Sequence, residues 1–268
     1  MSKKFSKVWI AIFAYVVVYF LISILFQGQD LLWLELSVFS LTVSVILLAK
    51  HRFPKRKYLV LSSVLTLLLL VSNIWWFNAY NVFQGIVLFL TCSASCSVFE
   101  KYEENTLKWI KCQKKRDVFE SILIGIACGI AWGGINYLLM KGSNPVAPAN
   151  VFKAFVVSLN PAILEEVAYR SVFFAFCLSM AEGEFKTGSQ KFVVWCMMTV
   201  PHVLPHMPFS MANGAIQGVI EWFIYLALYV GVFGFIFAFL QRKRDVSSAM
   251  IAHGVVDWIR FCIFGIPM

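Results

Sequence analysis

Charged residues are scarce in this sequence. Asp, Glu, Lys and Arg together make up 14% of the 268 residues, whereas hydrophobic residues make up 60%. Soluble globular domains carry about 25% charged residues. The chain therefore lacks the polar surface needed to cover a soluble core, and lipid is its expected solvent. We expect an all-α fold, a polytopic bundle of transmembrane helices.

Repeats, low-complexity segments and soluble linkers are also missing. Instead, apolar stretches of about 20 residues, the length that crosses the hydrocarbon core, follow one another closely. The first is not followed by a small-residue cleavage site, so we interpret it as a retained helix rather than a signal peptide. Pro201 and Pro205 predict a kinked or partly re-entrant seventh stretch. We predict 8–9 spans near residues 8–26, 31–49, 58–77, 82–98, 118–140, 152–180, 192–206, 215–240 and 246–264.

The net charge of +9 is explained by the distribution of Lys and Arg between the loops. With a cytoplasmic N-terminus, the terminal tail and the loops 50–57, 99–117, 181–191 and 241–245 hold 19 of the 23 basic residues. Only Lys141 and Lys153 fall on the other side. This asymmetry predicts a multi-pass cell-membrane protein with its N-terminus in the cytoplasm. It also removes the reason to expect a nucleic-acid partner, so the lipid bilayer is the expected surrounding.

Ionisable residues at membrane depth are costly, and they indicate a functional site. In this sequence they cluster in three late spans. A helical rise of about 1.5 Å per residue places them roughly 12–22 Å from the cytoplasmic boundary, which is one common level in a core about 30 Å thick. The set comprises Glu165, Glu166 and Arg170, then His202 and His206, then His253 and Asp257.

Helical spacing suggests a role for several of these residues. Glu166 and Arg170 are four residues apart and should form a pair, whereas Glu165 points about 100° away. Glu165 is thus the candidate general base. His253 and Asp257 are also four residues apart, so Asp257 can orient the imidazole.

Two other interpretations of these residues stay open. A Glu–Arg pair can simply hold a bundle together, and His202 and His206 can be hydrogen-bonding residues that line a cavity. His202, His206, His253 and Glu165 could also supply metal ligands. However, no His-Glu-x-x-His helix is present. We therefore expect an acid–base site without metal or cofactor, and we assign no role to Glu221.

Small residues recur on the fifth span, where Gly125, Gly129 and Gly133 stand at every fourth position. Such a row lets another helix approach closely, and we interpret it as a packing surface.

The ordered motifs resemble those of the CAAX protease and bacteriocin-processing family of intramembrane endopeptidases. The resemblance covers about residues 118–264 and rests on Glu165-Glu166-x-x-x-Arg170, then His202, then His253-x-x-x-Asp257. It implies a helical core with a conical cavity open to the cytoplasmic side. Two positions differ from the usual family pattern, since Met198 stands where Phe is usual and Ser171 where Gly is common.

The resemblance also implies roles for the motif residues. Glu165 and His202 would activate a water, and His253 and Asp257 would face the developing negative charge. Glu166 and Arg170 would brace the site, with His206 as a further candidate. We thus divide the chain into N-terminal accessory helices (1–117) and a catalytic membrane core (118–268).

The predicted activity is hydrolysis of a peptide bond in a membrane-associated peptide or protein. One alternative is a non-enzymatic bacteriocin-immunity or membrane scaffold protein of the same fold. Another is a proton-coupled transporter, although transporters commonly contain two related halves, and here the polar set is confined to the last spans.

Overall fold

The computed structural model describes residues 5–26, 28–110, 114–142, 148–207, 209–212 and 214–266. This part of the chain is helical and contains no strand, which confirms the all-α prediction. A helix satisfies its backbone hydrogen bonds within one segment, as an apolar stretch in lipid requires. The α-helices are α1 (Ser6–Leu25), α2 (Gln29–His51), α3 (Arg56–Ser72), α4 (Ala79–Lys101), α5 (Lys115–Met140), α6 (Val151–Glu166), α7 (Val172–Met180), α8 (Gly188–Val203), α9 (Ala215–Leu228), α10 (Phe235–Lys243) and α11 (Val246–Phe264).

Short segments of other helical types join or follow several of these helices. A π-helix, Val167–Ser171, connects α6 to α7, and a second, Tyr229–Gly234, connects α9 to α10. A 3₁₀ helix, Glu103–Asn105, follows α4. Another, Leu204–His206, ends α8 at the position where the sequence predicts a distortion from its two prolines.

Within the described residues, six helical runs are long and apolar enough to cross a membrane: Ser6–Leu25, Gln29–His51, Ala79–Lys101, Lys115–Met140, Ala215–Lys243 and Val246–Phe264. The α6–α7 run carries the charged motif, and α3 and α8 are only 17 and 16 residues long. The count of 8–9 spans thus stays a prediction. Large apolar side chains lie on the outside of the bundle, such as Phe13, Leu139 and Ile216. Lipid contact explains such exposure.

The helices run between two faces of the bundle. At the first, the ends of α2 and α7 meet, where Lys50 Nζ donates to the carbonyl of Ser179 (3.0 Å). We call this the basic face, because the loops rich in Lys and Arg connect helices there. Lys3, Lys4 and Lys111 of that count lie outside the described residues. At the opposite face, Asn160 Nδ2 donates to Asn73 Oδ1 (3.0 Å).

The glycine row of α5 packs against α11. A Cβ on Gly125 would stand 2.7 Å from Ile251, and one on Gly129 would stand 2.5 Å from Val255. The two backbones therefore lie too close for a larger residue, which confirms the predicted packing surface. Since α11 carries His253 and Asp257, this contact also positions part of the polar cluster.

Candidate active site

The two adjacent glutamates at the end of α6 lie in different surroundings, as the sequence predicts. Glu166 is fully buried and forms an ion pair with the buried Arg170. Glu165 points into a cavity, with 13% of its side chain exposed, and contacts His202 Nε2 through its Oε2 atom. The Glu166 carboxylate is thus paired with a positive charge inside the protein, whereas the Glu165 carboxylate faces a cavity.

The backbone carbonyl of Glu166, at the start of the π-helix, accepts hydrogen bonds from two side chains. Ser171 Oγ donates to this carbonyl (2.9 Å), and so does Gln241 Nε2 (2.9 Å). Gln241 Nε2 also donates to the Glu166 carboxylate at 2.9 Å. Single-turn π-helices are often found at functional sites. Here the irregular turn lets α10 hold Glu166 by both its backbone and its side chain.

The contacts of His202 determine which ring nitrogen carries the proton. Arg170 Nη2 lies 2.8 Å from His202 Nδ1, and a guanidinium can only donate. Nδ1 must therefore accept, so the proton of the neutral ring is on Nε2 and is donated to Glu165. His202 accordingly orients Glu165, whose other oxygen, Oε1, has no hydrogen bond among the described residues.

His253 lies between carboxylates of two helices. Its Nδ1 is 2.7 Å from Glu166 Oε1, and its Nε2 is 3.3 Å from Asp257 Oδ2 and 3.5 Å from Glu165 Oε2. The ring of Phe237 stacks on the imidazole with the centroids 4.5 Å apart. These contacts fix both the position and the plane of the ring, and they place Nε2 beside the Glu165 carboxylate.

Asp257 has contacts that suit an orienting residue. Besides His253, it faces Arg260, whose Nη1 lies 3.8 Å from its Oδ1 atom. The guanidinium offsets the negative charge of the carboxylate, which would otherwise oppose an oxyanion nearby.

His206 lies beside this cluster. Its ring contacts Trp33 edge-on at 4.9 Å and is 5.3 Å from the ring of His202. Glu165, His202 and His206 each offer a ligand atom within 4.8 Å of the others, so these three side chains could hold a metal ion. However, a metal on His202 Nε2 requires the lone pair that protonation of this atom removes. Metal binding at this atom would require that the His202 ring lose its Nε2 proton or move it to Nδ1, which would break the hydrogen bond from Arg170.

Residues of the first two helices also hold this site, and the sequence analysis missed them. Pro205 has no N–H, so the carbonyl of Pro201 lacks its helical partner four residues ahead. Three backbone carbonyls around the two histidines accept hydrogen bonds from the N-terminal helices: Pro201 from Tyr15 Oη (2.9 Å), Pro205 from Gln29 Nε2 (3.1 Å) and Met207 from Tyr19 Oη (2.5 Å). Pro205 was the available signal for the first of these bonds, because it predicts an orphan carbonyl at Pro201.

The described residues form two cavities that reach the site. The first, of about 560 Å³, is lined by Asp30, Leu31, Trp33, Leu34, Tyr80, Gln84, Asn160, Leu164, Glu165 and Tyr169. The second, of about 280 Å³, is lined by His206, Met207, Phe209, Ser210, Gly218, Glu221, Trp222, Tyr225 and Tyr229. Most of these residues belong to helix ends at the opposite face. The cavities therefore open at the face opposite the basic one. If the basic face is cytoplasmic, this opening lies on the other side from the cytoplasmic opening that the resemblance implies.

Comparison with known families gives one match. Residues 147–259 match the family described as type II CAAX prenyl endopeptidase Rce1-like. The match covers less than half of the chain, and it contains all seven predicted site residues. It confirms the resemblance predicted from the motifs and suggests a CAAX-type intramembrane endopeptidase. Neither the curated proteins nor the solved structures include a match to this chain.

Proposed function

We propose that this protein is an intramembrane endopeptidase that hydrolyses a peptide bond in a membrane-associated peptide or protein. The observation that carries the proposal is the position of Glu165, which faces a cavity about midway along the α6–α7 run and is bonded to a histidine of defined protonation. A residue that only stabilises the bundle would be expected to bury both carboxylate oxygens against partners, as Glu166 does.

Glu165 is the general base in this proposal. A water bound beside it gives a proton to its free oxygen, and the water oxygen forms a bond with the carbonyl carbon of the substrate. As the tetrahedral intermediate collapses, the C–N bond breaks and the proton passes from Glu165 to the leaving amine. The carboxylate is thereby restored, and no other reactant is needed. His202 holds Glu165 in place and keeps one of its oxygens occupied.

His253 is the candidate donor to the oxyanion. Its Nδ1 atom donates to Glu166, so its Nε2 atom, 3.5 Å from Glu165 Oε2, carries a proton only in the imidazolium form. The three carboxylates around the ring favour that form. Hydrogen-bond donors fixed in advance at a developing negative charge make one of the largest contributions to catalysis. Asp257 orients this ring, and Glu166 and Arg170 brace it from the buried side.

The two alternatives make different predictions for the same residue. A bacteriocin-immunity or scaffold protein of this fold needs the shape of the site but not a base at position 165. A proton-coupled transporter needs an ionisable group there but cleaves nothing. Only the peptidase requires that a covalent product depend on Glu165.

The decisive experiment compares the membrane-associated peptides of cells that carry the wild-type protein with those of cells that carry Glu165→Ala, matched for protein level. We expect at least one peptide or membrane protein to accumulate uncleaved in the variant, and its product to be absent. Identical peptide profiles in the two strains would contradict the peptidase and favour the binding alternative. The same comparison identifies the substrate.

A further inference from the structure

We infer that the catalytic centre is entered from the opposite face, so that the substrate is a peptide segment on the extracytoplasmic side of the membrane. That the entering peptide is a substrate rests on the proposed function. The direction of entry rests on geometry alone.

The first cavity runs from the opposite face to Glu165. Asp30, the second residue of α2, is exposed, and Tyr80 and Gln84 belong to the first turns of α4. All three helices that line it, α2, α4 and α6, begin at the opposite face. The cavity ends near Glu165 and Tyr169, about midway along the continuous α6–α7 run.

The second cavity approaches the same centre from the same face. It lies between the end of α8 and the first turns of α9, and His206 is part of its wall. His206 contacts Trp33, which lines the first cavity, so the linings of the two cavities adjoin at this pair of rings.

The path from the basic face is filled by protein. All nine residues of α7 are buried, and so are Arg170 and Gln241 directly beneath the glutamates. A peptide that arrived from this side would have to displace the ion pair of Glu166. The described residues therefore give Glu165 an approach from one direction.

The distribution of Lys and Arg between the loops predicts which cellular compartment each face of the bundle adjoins. The loops assigned to the basic face contain 19 of the 23 Lys and Arg residues of the sequence, 16 of them among the described residues, and this excess predicts a cytoplasmic location. The opposite face is then extracytoplasmic. A prenylated C-terminus in the cytosol would meet the closed side, whereas an exported peptide or the outer segment of a membrane protein would meet the cavity.

The lining also selects the chemistry of the segment that binds. The described linings contain three carboxylates, Asp30, Glu165 and Glu221, and neither contains Lys or Arg. Aromatic rings supply much of the remaining surface. Such a cavity disfavours acidic residues near the cleaved bond and suits apolar or basic ones.

Single cysteines in the full-length protein test the direction of entry. The seven native cysteines are first replaced, and Leu164→Cys or Gln84→Cys is introduced as a cavity probe. Ile86→Cys is the matched control, because this side chain lies on the lipid side of α4 and is 51% exposed. Lys55→Cys reports the basic face. A small, membrane-impermeant cationic methanethiosulfonate is applied to intact cells and to inside-out vesicles.

We expect both cavity cysteines to react in intact cells, Lys55→Cys to react only in inside-out vesicles, and Ile86→Cys to react in neither. Reaction of Leu164→Cys and Lys55→Cys from one common side would overturn the inference, as would failure of both cavity probes to react. Reaction of Lys55→Cys in intact cells would reverse the compartments. The labelling does not depend on hydrolysis, so a failure of the proposed activity is seen separately in the Glu165→Ala peptide profile.

Discussion

The replacement of each adjacent glutamate by glutamine separates catalysis from stability. In Glu165→Gln, the amide oxygen can still accept the hydrogen bond from His202 Nε2, so the local structure should persist. The amide cannot take a proton from water. General acid–base catalysis typically contributes about 10²–10⁴-fold to rate, equivalent to roughly 3–5 kcal/mol of activation free energy. We expect a loss of kcat of this size with little change in melting temperature.

Glu166→Gln should behave differently because of its three partners. The Glu166 carboxylate accepts from Arg170, His253 and Gln241, all of them donors in this arrangement. An amide offers one oxygen and one NH₂ group, so at least one donor would face another donor. The guanidinium would also lose its counter-charge. Breaking a buried pair costs about 3–5 kcal/mol, which corresponds to a fall in melting temperature of roughly 6–20 °C.

The assay measures kcat and KM on the substrate identified from the peptide profiles, together with the melting temperature of each purified variant in detergent. Glu120→Gln is the matched control, because Glu120 pairs with Arg116 and Arg244 at the basic face, away from the site. Pairs at the surface of this kind contribute little to stability. Full activity of Glu165→Gln would refute the assignment of the base. Exchanged phenotypes would reverse the two roles.

Three further predictions follow from the same contacts. Gly129→Ala would place a Cβ 2.5 Å from Val255 and push α11 away, so the melting temperature and kcat should both fall. The control is Gly134→Ala, whose Cβ meets nothing within 4 Å and should leave both values unchanged. Tyr15→Phe leaves the Pro201 carbonyl without its donor, at a cost of about 1–3 kcal/mol, and should lower kcat more than it changes KM; unchanged kinetics would contradict a positioning role. Activity should survive EDTA, with no stoichiometric zinc by elemental analysis, whereas activity lost on chelation and restored by added metal would replace the proposed base with a metal-bound water.

The sequence predicted the parts of the site that depend on helical periodicity. Four-residue spacing pairs Glu166 with Arg170 and His253 with Asp257, and both pairs are present. A helix also turns by about 100° per residue, which separates Glu165 from its neighbour. Such inferences succeed because membrane helices are regular over most of their length.

The contacts that periodicity does not determine were missed. Gln241 bonds to the backbone carbonyl of Glu166 and Tyr15 to that of Pro201, and no side-chain motif encodes either partner. The π-helix after Glu166 has no simple sequence signal. The protonation of His202 likewise depends on the direction of one guanidinium across helices, which spacing along a single helix cannot give.

Helices within the first 117 residues contribute to the site although the family match does not include them. They lie outside the matched segment, and their division from the core as accessory helices stays a prediction. Nevertheless, Trp33 and Asp30 line the cavity that reaches Glu165. Tyr15 also satisfies a carbonyl next to His202, which an isolated core would leave to lipid or to a rearranged α8. Because an unsatisfied backbone group is costly in lipid, the geometry of His202 depends on these helices. Chemistry confined to the late spans therefore still requires the early ones.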